Sequence, residues 1–215
     1  MKGNKMTINT ITNDAIAIID AFQSGTQPLV DTRTDLAKAL TAHPESVAPT
    51  VAHVIDAYKD GLSIYFATAF VGIAANIDPS VRFAAMSALY DAAQTGYDKN
   101  SILSAVMPAA RAAFGKGNGD VKGFTYRGDL SHPVVTRESA DGARSYYDGA
   151  WMHHRHDGQV TVENCRIGIK TGGETMRASD VAARFFVKGS PKEVALQSFI
   201  NERTPQMQVP VARMA

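Results

Sequence analysis

Three Asp-Gly pairs, at 141–142, 148–149 and 157–158, constrain the fold of this chain more than any other feature. Asp-Gly suits the positive-φ positions of a type I′ turn, whose twist matches that of two paired strands. Turns this close together leave room for strands of about 5–6 residues and none for helices. Between and after them, Val160 and Val162 alternate with Thr161 and Glu163, and Ile167 and Ile169 alternate with Arg166 and Gly168. A period of two marks a strand with one buried face. The segments 124–127, 134–137, 143–147, 150–156, 159–164 and 166–170 are therefore expected to form an antiparallel meander, closed by Thr171-Gly172-Gly173.

The first half has a different period. Helices are expected over 13–23, stopped near Gly25, and over 34–42, stopped before Pro44. Val51, Val54, Ile55, Tyr58, Leu62, Tyr65, Phe66, Ala69 and Ile73 recur at helical spacing, which predicts one long central helix. Asp78 as N-cap with Pro79 after it opens a helix to about Gln94. Asn100 or Ser101 is expected to cap the next, through Phe114, with a kink at Pro108. Beyond the meander, a helix is expected over 181–188, capped by Ser179 or Asp180. Ser190-Pro191-Lys192-Glu193 reads as a capping box opening a helix to about Arg203.

The fold class that follows is α+β: an N-terminal helical bundle, then a small antiparallel meander with one or two packed helices. The expected division is a bundle over 1–115, a glycine-rich joint over 116–123, meander and helices over 124–203, and an extended tail over 204–215. In GKGNGDVKG, at 115–123, four glycines in nine positions suggest a flexible connection.

Charge is nearly balanced, with 22 Lys and Arg against 21 Asp and Glu. The imbalance is local: residues 1–115 carry 8 basic and 10 acidic side chains, and 116–215 carry 14 and 11. A polyanion would prefer the second half. The single cysteine, Cys165, excludes an intrachain disulfide and a cysteine zinc cluster, and fits a reducing cytoplasm. The basic residues near the N-terminus are followed by no apolar run, so no secretory signal is expected. The longest uncharged run, Gly61–Ile77, is short for a bilayer span, and no membrane partner is expected.

Three function classes remain. Basic and aromatic residues interleave along the meander, and Lys122, Tyr126, Arg127, Arg144, Tyr146, Arg155, Arg166 and Lys170 are the candidate nucleic-acid contacts. Aromatic rings stack on bases while cations hold phosphate, the chemistry suited to single-stranded or structured nucleic acid bound without catalysis. A structural role is the alternative, with the tail 204–215 joining subunits of a homo-oligomer. The third class is a metal-dependent hydrolase or nuclease. His154 and His156 share a strand face, and Glu163, Asp129 or His132 would complete a divalent metal site. No other cofactor is expected. The chain has no G-x-x-x-x-G-K-[ST], G-x-S-x-G or H-E-x-x-H, so no catalytic residue is assigned.

Overall fold

The computed structural model describes residues 8–129, 133–140, 142–147, 150–155, 159–165, 175–177, 187–191, 193–194 and 197–198. The protein is α+β: among the described residues, six α-helices precede a seven-stranded antiparallel sheet. Two compact units divide it, residues 1–94 and 95–215. Among the described residues no helix is long and apolar enough to cross a membrane.

The first unit holds α1 (Ile8–Gln23), α2 (Leu29–Ala42), a 3₁₀ turn (Pro44–Ser46), α3 (Val47–Lys59), α4 (Ile64–Ile77) and α5 (Val81–Ala92). Its core is built from Ile19, Leu36, Leu40, Val54, Phe70, Val71, Met86 and Leu89, all at most 2% exposed. The Phe22 ring meets Phe66 and Phe70 edge-on, at 4.7 and 5.5 Å between centroids. Such edge-to-face pairs add to the burial of the rings themselves.

The long central helix expected over 51–73 is two helices. The amide of Gly61 donates to Tyr58 O at 3.1 Å and that of Leu62 to Ala57 O at 2.9 Å. These are the two reversed bonds of a Schellman stop, with Gly61 at φ +113° and Leu62 buried beyond it. Ser63, extended at ψ 147°, then starts α4. Local capping outweighs an uninterrupted apolar period here. Asp78, expected as N-cap, ends α4 and its Oδ1 accepts from the Ser80 amide at 3.0 Å, while Ser80 holds the N-cap position of α5 without a side-chain bond.

The second unit begins with α6 (Gly96–Phe114). Its cap is Thr95, whose Oγ1 accepts from the Asp98 amide at 3.0 Å. Asn100, expected as cap, lies buried within the helix. The strands β1 (Asn118–Val121), β2 (Phe124–Arg127), β3 (Val134–Ser139), β4 (Gly142–Tyr147), β5 (Ala150–Arg155), β6 (Gln159–Cys165) and β7 (Thr175–Arg177) pair in sequence order. α6 packs against the sheet, chiefly at β3 and β4. The expected strand over 166–170, residues 181–186 of the expected helix over 181–188 and the tail over 204–215 lie outside the described residues, and Val187 and Lys188 are not helical.

The glycine-rich segment expected as a joint is instead the start of this sheet. A Cβ on Gly119 would collide with the Phe114 ring, and one on Gly128 would come within 2.6 Å of Gly115 O. The glycines permit close approach of backbone to helix, and the division between units falls before α6. Of the capping box expected at Ser190, the serine half forms, and the glutamate reaches one residue further back. Ser190 Oγ accepts from the Glu193 amide at 3.2 Å, and Glu193 Oε2 accepts from the Gly189 amide at 2.5 Å.

Candidate functional site

Strand register decides which side chains of the sheet are neighbours. Phe124 pairs with Arg137, Arg137 with Arg144, and Arg144 with His153, so four consecutive strands place these residues in one row. Cross-strand partners project from the same face, with Cβ atoms about 4.5–5.5 Å apart. Tyr126, Val135 and Tyr146 form the row beside it, and Arg155 follows His153 by two residues on the same face. The Arg137 guanidinium covers the Phe124 ring at 5.2 Å, and its Nη1 donates to Lys122 O at 3.4 Å. Lys122 sits in the β1–β2 turn at φ +49°, fully exposed.

The row therefore sets Arg137, Arg144 and His153 side by side, with Arg155 two residues beyond His153 and the backbone oxygen of Lys122 at the Arg137 end. Lys122 and Arg155 are exposed, Arg137 and His153 half-buried, and Arg144 is 6% exposed. Gly142 opens the space beside it: at φ +131°, a Cβ there would lie 3.0 Å from His153 Nε2 and collide with the backbone of His154. Like charges directly opposite each other across strands are unfavourable, and an anion above them lowers that cost. Such a row is suited to holding phosphate or carboxylate oxygens.

The sequence-derived candidates divide accordingly. Arg144, Tyr146 and Arg155 share this face, and Lys122 meets it through its backbone oxygen. Arg127 projects from the opposite face, where its Nη2 lies 3.8 Å from Asp129 Oδ2. Tyr126 shares the face but is 1% exposed: its ring stacks on Phe114 at 5.9 Å, and its hydroxyl donates to Gly115 O at 2.9 Å. It is core, and its ring is not open to a base. The side chains of Val160, Val162, Ile167 and Ile169, expected to mark one buried face, lie outside the described residues, and on β2–β5 both faces of the sheet bury side chains. Val134, Thr136, Ser145 and Met152 are buried on one face, Phe124, Tyr126 and Val135 on the other. Arg166 and Lys170 lie outside the described residues.

Arg137 and His153 were not among the candidate contacts. Register alone reveals them, since each is unremarkable until its strand neighbours are known.

Of the metal candidates, His154 is 3% exposed and paired between Ala143 and Val160, on the face opposite His153. His156, His132 and the side chain of Glu163 lie outside the described residues. The β5–β6 register steps from Trp151–Asn164 to Met152–Val162, passing over Glu163 at a bulge. Among the described residues no three His, Cys, Asp or Glu side chains are grouped to hold a metal ion.

Comparisons with protein-family models, with curated proteins and with solved structures found no match to this chain.

Proposed function

We propose that the protein binds nucleic acid without catalysis, through phosphate contacts along the cationic row of the sheet. The observation that carries this reading is the register that sets Arg137, Arg144 and His153 side by side, flanked by Lys122 and Arg155. The charge of the second unit supports it: 16 Lys and Arg against 12 Asp and Glu. Lys122, Arg137 and Arg155 contact the backbone of the nucleic acid, while the deeper Arg144 adds to the positive field beneath them. Tyr146, half-buried beside Arg144, is the described aromatic placed to stack on a base from this face. With Phe124 and Tyr126 enclosed, recognition is led by phosphate and only weakly by sequence.

The test is fluorescence anisotropy of labelled single-stranded oligonucleotides with the full chain at low salt. Binding is expected to weaken as salt rises. Arg137→Gln and Arg155→Gln should each lower affinity alike for every sequence and reduce the salt slope by about one. No binding at micromolar protein, or binding indifferent to salt, overturns the reading.

A further inference from the structure

The helical unit carries a second feature, independent of the sheet. A groove of about 440 Å³ runs along α4 beside α2, floored by Ala69 and Gly72, with Arg33 and Arg82 among its lining residues. Arg33 sits over the Tyr65 ring at 5.9 Å, its Nη2 3.5 Å from the Tyr65 hydroxyl. Arg82 donates to Asn76 Oδ1 at 3.2 Å. Both arginines are half-buried as residues, the hydrogen bonds of their guanidiniums are exposed, and neither has a carboxylate within 4.0 Å among the described residues. Neutral partners orient the two charges without cancelling them. Tyr65, the partner of Arg33, is itself 62% exposed, and Ile73 adds apolar surface to the lining.

We infer that this groove docks an amphipathic peptide helix carrying two carboxylates, one for Arg33 and one for Arg82. The spacing sets the ligand. Tyr65 and Asn76, which hold the two arginines, are eleven residues apart on α4, about 16 Å along its axis. A second helix lying along α4 repeats that distance over eleven of its own residues, close to three whole turns, so its two acidic residues share one face. Gly72 has no atom within 4 Å of the position a Cβ would take, so the apolar ridge of the visiting helix can approach α4 closely. Guanidinium and carboxylate then form charge-assisted pairs at both ends. Overall charge argues against a polyanion here: residues 1–94 carry 6 Lys and Arg against 9 Asp and Glu. Two local carboxylates are attracted, whereas a long phosphate backbone is repelled by the rest of the unit.

The probe is a fluorescein-labelled synthetic Ala- and Leu-faced helix of about four turns, with glutamates eleven residues apart, titrated against the full chain. Saturable binding in the range of tens of micromolar is expected. Gly72→Leu should weaken it at least tenfold by filling the groove. The same change replaces a helix-interior glycine with a better helix former in open space, so the melting temperature should hold or rise and misfolding cannot account for the loss. Arg33→Glu with Arg82→Glu should abolish binding of this probe and confer binding of its lysine counterpart. No saturation at about 1 mM peptide, full affinity in Gly72→Leu, or equal binding of a glutamine peptide overturns the proposal. So does self-association of the chain that Gly72→Leu abolishes, which would make the occupant a second copy. Displacement of the peptide by a labelled oligonucleotide overturns it too.

Discussion

Arg137 and Arg144 stand directly opposite each other on β3 and β4, on the same face of the sheet. Like charges directly opposite each other across strands oppose pairing, and salt should screen that cost. Raising NaCl from about 0.02 to about 0.5 M shortens the screening length several-fold. Wild-type stability is therefore expected to rise relative to that of Arg137→Gln over this range, as urea unfolding would measure. A difference between the two proteins that does not change with salt would show that the charges do not interact.

The Schellman stop at Gly61 gives a second expectation. No atom lies within 4 Å of a Cβ there, so only the backbone angle of +113° opposes a side chain. Gly61→Ala is expected to cost about 1–2 kcal/mol in chemical denaturation, and Gly72→Ala, in the helix itself, to stabilise by up to about 1 kcal/mol. Equal effects at the two glycines would remove the distinction between conformational and helical roles.

Beneath the sheet, Thr136 and Ser145 are cross-strand partners whose hydroxyls lie 3.0 Å apart, both at most 1% exposed. Removing one hydroxyl strands the other. Thr136→Val or Ser145→Ala alone should cost about 1–3 kcal/mol, with the double variant less destabilised than the two losses added. Additive losses in a double-mutant cycle would argue that the pair does not form.

Gly119 and Phe114 are expected to couple in the same way. Gly119→Ala drives a methyl into the Phe114 ring, and overpacking of this kind costs about 1–3 kcal/mol. In a Phe114→Ala background most of that cost should vanish. Thermal melts of the four proteins decide the matter.

Asp56 supplies the pH prediction. A hydrogen bond from Lys59, at 2.8 Å, and the charge of that ammonium hold its carboxyl below the ordinary carboxylate value. The folded state favours the ionised form, so the contribution is present above the unfolded value and is lost as pH falls through the lowered one. Lys59→Met should move the Asp56 titration midpoint upward in a carboxyl NMR titration. An unmoved midpoint would mean that Lys59 does not hold the group.

Much of the fold was legible in short windows of sequence. The meander was readable from Asp-Gly spacing, and the Ser190–Glu193 start from a four-residue pattern, because such signals are satisfied within one turn of chain. The break at Asp60–Ser63 was equally local, yet apolar periodicity obscured it. Gly61 followed by Leu62 and Ser63 is a stop, a buried apolar residue and a start, a signal that outranks the period. The cationic row was not legible. With Asp141 and Gly142 as the two central turn residues, Arg137 would face Tyr146. The observed register pairs Ser139 with Gly142, which puts Arg144 there instead.

The sequence by itself determined the kinds of elements and their order: helices through residue 114, then strands joined by tight turns. Caps, glycines and periodicity act within a few residues, so no distant partner is needed to read them. Tertiary structure alone decided which side chains face solvent and which face each other. Both faces of the sheet carry buried side chains, so alternation could not separate Tyr126 in the core from Arg155 on the surface. A two-residue change in register also replaces every cross-strand neighbour while leaving each residue on the same face. The Asp-Gly meander set the frame, and the pairing of its strands chose the site.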